Sequence, residues 1–244
     1  MTLAAPPHIA GLRLQLDPLR YTWDDWDLDQ VESPVDESLL VKLEQLSQRA
    51  NVAFCIACAE WIVYPLCAVL GDQILLQRLE AAWAQIIDPR YCVSLDVSPD
   101  DWAGPLKGPA LRAVDLVEFA VDAFTRDNSP ADIAATASKL TTHLLVRDVA
   151  PFLRWQEQVL ARLMEYYRLD PDETMGDVVP REALSPEHSF DPAHTQDLMN
   201  VFLQRLCESG NPFLCSGDEM SDRGYKGPYC QFDPEYDRKL RFDW

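Results

Sequence analysis

The sequence predicts an all-α fold, a compact multi-helix domain of six to eight helices with at most two short strands. Three observations predict it. Apolar residues recur at three- and four-residue steps through most of 34–169, the spacing of one helix face. A Pro/Gly-rich connector at 98–109 and a proline-rich stretch at 170–197 punctuate those periodic runs. A hydrophobic content of 48% over 244 residues is enough to fill a core. The chain 1–244 reads as one helical domain in four parts: an acidic, aromatic N-terminal segment (1–33), a helical core (34–169), an acidic loop (170–197), and a terminal helix with an aromatic tail (198–244).

Taken in order, GLRLQL at 11–16 and YCVSLDV at 91–97 alternate apolar and polar residues, so each is a candidate short strand. YTWDDWDLD at 21–29 then sets Trp23 and Trp26 among Asp24, Asp25, Asp27 and Asp29. Ser33-Pro34 opens a helix carrying Leu39, Leu40, Leu43, Leu46 and Ala50. That helix is expected to run into the apolar stretch 52–63 and to bend or break at Pro65. After Gly71-Asp72, a helix follows with Ile74, Leu75, Leu79, Ala82, Trp83 and Ile86 on its apolar face. Three more are expected: about 110–125, from Ser129-Pro130 to about Val146, and from a cap at Asp148 to Tyr167. The loop 170–197 holds four prolines and a single Lys or Arg, Arg181, and is read as functional or partly disordered. A last helix covers about 193–208. The tail beyond it has too many aromatics for a disordered segment and is expected to pack across the domain as irregular structure.

VAFCIACAEWIVYPLCAVL at 52–70 is almost long enough to span a bilayer. Central Glu60, Pro65 and the lack of flanking Lys/Arg favour a helix buried in a soluble domain. Glu60 itself has apolar neighbours, so its carboxylate needs a donor, and an arginine holding helices together is the expected one.

The charge is strongly acidic: 40 Asp and Glu against 21 Lys and Arg, net −19. Such a surface repels phosphate backbones and anionic lipid, so neither nucleic acid nor membrane is an expected partner. It attracts a basic protein, chiefly by speeding encounter and selecting partners. The N-terminal MTLAAPPHIAGLRLQL has no basic start followed by a long apolar run, so it is not a secretory signal. The cysteine count of seven is odd, and four of them lie in apolar surroundings. A reducing cytoplasm with seven free thiols is therefore expected.

The fingerprints of common enzymes are missing: no phosphate-binding loop, dinucleotide motif, G-x-S-x-G or H-E-x-x-H. Cys55-Ile-Ala-Cys58 lies on an apolar helix face, where cysteine packs as a small hydrophobe. Cys207, Cys215 and Cys230 with His188 and His194 supply zinc-type ligands without compact spacing. Asp115, Glu118 and Asp122 share a helix stripe, read first as a solvated face and second as part of a metal hydrolase site. His143 has no nucleophile beside it.

The expectation is thus a non-enzymatic, cofactor-free and metal-free binding protein. Its most specific form is an immunity protein that occludes the basic active site of a toxin, such as a nuclease delivered by a secretion machinery. The expected partner-binding residues are Trp23, Asp24, Asp25, Trp26, Asp27 and Asp29, with Asp172, Glu173 and Asp177 as a second patch. The tryptophans are expected to anchor the first patch from one side while the aspartates face the partner. The alternatives are a helical metal-dependent hydrolase and a secretion chaperone or adaptor.

Overall fold

The computed structural model describes residues 5–6, 8–10, 21–93, 99–145 and 149–241. Ten α-helical segments occur among them, and no strand beyond isolated bridges. They are α1 (Asp29–Glu32), α2 (Glu37–Leu43), α3 (Gln48–Leu70), α4 (Ile74–Gln85), α5 (Lys107–Thr125), α6 (Ala131–Leu144), α7 (Val149–Tyr166), α8 (Thr195–Glu208), α9 (Gly217–Asp222) and α10 (Pro234–Leu240). The all-α class is as the periodicity predicts. The number exceeds six to eight because short segments of one or two turns, such as α1 and α9, escape a periodicity count.

Helix α3 is the axis of the core. It is buried on nearly every side, and α4, α5 and α6 pack against it. Helix α7 reaches it through aromatic rings: Phe54 stacks on Trp155 at 5.8 Å and Trp61 meets Phe152 edge-on at 5.4 Å. Gln48–Leu70 has the length and apolarity of a bilayer-crossing helix, yet 83% of its most apolar window is covered by the rest of the protein. A helix hydrophobic all round is what such a central position requires.

The expected long helix from Val35 is two helices, and the break falls at 44–47 instead of Pro65. Ser47 caps α3 by accepting the Ala50 N–H at 3.3 Å, while Asn51 Nδ2 donates to the carbonyls of Leu43, Leu46 and Ser47. One buried amide thus gathers the carbonyls that link the end of α2 to the start of α3. Pro65 remains inside α3, which continues to Leu70 and stops at Gly71, whose φ of 70° is left-handed.

The candidate strand at 91–97 contributes a 3₁₀ turn, Pro89–Tyr91, and a single bridge from Cys92 to Leu214; 94–98 lie outside the described residues. Its supposed partner 11–16 and the Asp148 cap also lie outside them. Loop 170–197 is ordered structure threaded through the core: Val178, Val179, Ala183 and Leu184 are buried, and Arg181–Leu184 form a 3₁₀ turn. The tail does pack across the domain, burying Phe213, Tyr225 and Phe232, but it includes α9 and α10 and is not wholly irregular. Ser216 and Glu219 form a capping box at α9, and Asp233 caps α10.

The expectation of seven free thiols is corrected. Cys207, near the end of α8, is disulfide-bonded to Cys230, with Cα atoms 6.4 Å apart, leaving five free and buried.

Candidate protein-binding face

The YTWDDWDLD segment is a braced turn lying against α5 and α6. Tyr21 donates its hydroxyl to the Pro105 carbonyl. The Thr22 carbonyl accepts from His143 Nε2 at 2.8 Å, which places the imidazole proton on Nε2. Trp23 is half-buried and donates its indole N–H to Asp25 Oδ1 at 2.7 Å, while Asp25 Oδ2 accepts the Gly104 N–H at 2.8 Å. Gly108 makes this close fit possible, since a β-carbon there would lie 2.3 Å from both Trp23 Nε1 and Asp25 Oδ1. On the far side, Asp24 Oδ1 accepts the Trp26 N–H at 2.9 Å and the Asp24 carbonyl accepts the Asp27 N–H at 3.3 Å. Below the turn, Glu32 of α1 grips Arg112 of α5 through a two-pronged ion pair, 2.5 Å from Nε and 2.9 Å from Nη2.

The outcome differs from the expectation of two indoles on one side. Trp23 faces the protein, whereas Trp26 is 96% exposed. The aspartates divide as well. Asp25 spends both oxygens inside the turn, while Asp24, Asp27 and Asp29 stay exposed around Trp26 or at the start of α1. A fully exposed tryptophan on a hydrogen-bonded turn is unusual, because burial of its large ring is what ordinarily stabilises it.

The second expected patch is tied in part to the C-terminal helix. Glu173 Oε2 and Asp177 Oδ1 accept from Arg241 at 3.1 and 2.7 Å, and Asp237 Oδ2 accepts from it at 2.6 Å. Asp237 Oδ1 in turn lies 2.7 Å from the buried Arg49 of α3. Glu173 and Asp177 therefore clamp the C-terminal helix to the core; only Asp172 of the three is exposed without such a bond. The two patches rest on different elements.

A buried ionic network extends well beyond the single pair expected at Glu60. Glu60 Oε1 accepts from Trp83 Nε1 at 2.8 Å and from Arg181 Nη2, and Arg181 Nη1 reaches Glu80 Oε1 at 2.7 Å. Arg181 also donates to the Tyr64 hydroxyl at 3.2 Å and lies over the Trp83 ring. His8 stacks on Trp155 at 5.5 Å, with Nε2 3.1 Å from Glu60 Oε2. Burial works to raise the Glu60 pKa, but Arg181, His8 and Trp83 outweigh it and hold the carboxyl below its ordinary value. Arg181 is the arginine partner expected for Glu60. Its signal in the sequence was its standing as the sole base of an acidic loop.

Two members of the carboxylate stripe are paired with arginines. Glu118 pairs with Arg78 at 2.8 Å and Asp122 with Arg126 at 2.9 Å. Among the described residues no cluster of three or more His, Cys, Asp or Glu could hold a metal ion. The Cys207–Cys230 bond also takes two members of the zinc-type set, while His188 and His194 are exposed beside Glu187 and Asp191. Cys55 and Cys58 are fully buried, and desolvation pushes both thiols far up, away from redox reactivity.

Comparison with protein-family models, with curated proteins and with solved structures finds no match.

Proposed function

We propose that this chain is an acidic protein-binding inhibitor, in its most specific form an immunity protein that neutralises a toxin with a basic active-site cleft, such as a nuclease. One observation carries the reading: Trp26, 96% exposed, stands on a turn fixed by bonds to Asp24 and flanked by exposed aspartates. Tryptophan leads the residues that dominate binding energy at interfaces, and a preset turn lowers the entropy lost on docking. The net charge of −19 draws such a partner in and discourages nucleic acid and anionic membrane. The binding set narrows from the sequence expectation to Trp26, Asp24, Asp27, Asp29 and Asp172.

A catalytic role is no part of the proposal; Glu118 and Asp122 each pair with an arginine. The cytoplasm remains the proposed compartment on the five buried free thiols; the Cys207–Cys230 bond pulls the other way, and thiol counting in the cell decides it. The test is co-expression with the product of the adjacent gene. Rescue of growth by the wild type and its loss with Trp26→Ala uphold the reading; equal rescue by both, or a partner that stays active when bound, overturns it.

A further inference from the structure

We propose that the cavity between Arg90, the turn at 224–226 and α10 binds a phosphate group, free or as the monoester of a small metabolite. The cavity measures about 590 Å³, within the range of small-molecule sites and larger than phosphate alone needs. Its wall inverts the charge of the chain. Acids outnumber bases 40 to 21 overall, whereas Arg90, Lys226 and Lys239 line this cavity with Asp233 as the one acid. The Asp233 carboxylate is turned to the N-terminus of α10, accepting the N–H groups of Glu235 at 2.9 Å and Tyr236 at 3.3 Å.

Arg90 is preorganised for an anion. Asp88, fully buried, holds its Nε at 2.9 Å and Nη2 at 2.7 Å, and the Tyr236 hydroxyl accepts a further bond from Nη2 at 2.7 Å. The remaining nitrogen, Nη1, has no hydrogen-bond acceptor among the described residues. It lies beside Gly224, where an added β-carbon would sit 3.8 Å from it. Gly224 has a φ of 81°, a conformation glycine adopts freely, and it sets no side chain of its own beside that nitrogen. Lys226 and Lys239 are exposed and form no ion pair among the described residues.

A fixed guanidinium edge flanked by two mobile ammonium groups suits a compact dianion better than a lone carboxylate. The distant acids do not forbid this, because at 0.1 M salt their field is screened beyond about 10 Å. Tyr236 and Leu240 supply an apolar wall for the body of an ester. The proposal is independent of the protein-binding reading.

The test titrates the full chain with inorganic phosphate, and with adenosine 5′-monophosphate against adenosine, at ionic strength held constant with NaCl. Backbone amide shifts of Gly224 and Lys226 are followed by heteronuclear NMR. Saturable shifts with phosphate or the monophosphate, and none with adenosine, are expected; the tighter of the two names the free ion or the ester. Lys226→Ala with Lys239→Ala should weaken binding by roughly tenfold or more and leave the melting temperature unchanged, both side chains being exposed. Shifts that fail to saturate, that NaCl reproduces, or that persist in the double variant overturn the proposal.

Discussion

Arg181 contacts Glu60 across 121 positions of sequence, joining the acidic loop to the middle of the central helix. Both side chains are buried, and Glu80 of α4 adds a second carboxylate, which also meets Arg205. Breaking a buried pair from one side leaves an uncompensated charge in a low dielectric, the costly case. Arg181→Met should therefore destabilise the protein by about 3–5 kcal/mol in urea denaturation. Adding Glu60→Gln and Glu80→Gln to it should recover much of the loss. A triple variant no more stable than the single one would mean that Arg181 acts through shape and not charge.

Two carboxyls make opposite predictions for pH. Glu60 has a folded pKa below its unfolded value, so its stabilisation is present above about pH 4.3 and is lost as pH falls through the folded value. Asp115 is pushed up to about 6, first by burial and further by Glu118 and Glu32, against the pull of Arg112. The folded state then holds a proton that the unfolded chain releases, so between about pH 4 and 6 its contribution weakens as pH rises. Asp115→Asn should raise stability at pH 7 and change little at pH 4. Denaturation curves at both values check this, and an equal effect at both would contradict it.

The cross-link between Cys207 and Cys230 closes a segment with a sequence separation of 23 and ties α8 to the approach to α10. Chain-entropy reasoning assigns such a closure about 3 kcal/mol. Cys207→Ser, or reductant, should lower the unfolding free energy by about that amount, and alkylation of the denatured, unreduced protein should label five cysteines. Labelling of all seven would restore the reading from the sequence.

Long periodic segments were legible because burial and periodicity are the same fact: α4, α5 and α6 follow their apolar faces. The break between α2 and α3 was not, since it depends on Asn51 turning back to three carbonyls, a contact no window of hydrophobicity contains. Helices α9 and α10 are too short for a period and begin at caps, Ser216 and Asp233, that resemble turn residues in isolation. The site was half legible. An acidic turn with two tryptophans stood out, but which indole faces outward depends on Gly104 and Gly108, some 80 residues away, receiving Asp25 and Trp23. Glu173 and Asp177 read as surface charge because their partner, Arg241, stands 68 and 64 positions away in sequence.

That division of the turn yields the sharpest prediction. Trp23 is packed against the core and its indole N–H bonds Asp25, so Trp23→Ala should lower thermal stability; truncating a half-buried ring falls below the roughly 3–5 kcal/mol of a fully buried one. Trp26 has almost no contact to lose within the chain, so Trp26→Ala should leave the melting temperature unchanged. In partner binding the order reverses: a tryptophan anchor is worth about 2 kcal/mol or more, so Trp26→Ala should weaken binding by about 30-fold or more, mainly through faster dissociation. Asp27→Asn and Asp29→Asn should instead slow association and flatten its salt dependence. Asp24→Asn tests the brace, because the amide oxygen can still accept the Trp26 N–H and only the charge is lost. Calorimetry and stopped-flow binding on the same variants separate these effects. A Trp26→Ala protein that binds like the wild type would leave the exposed indole without a role in recognition.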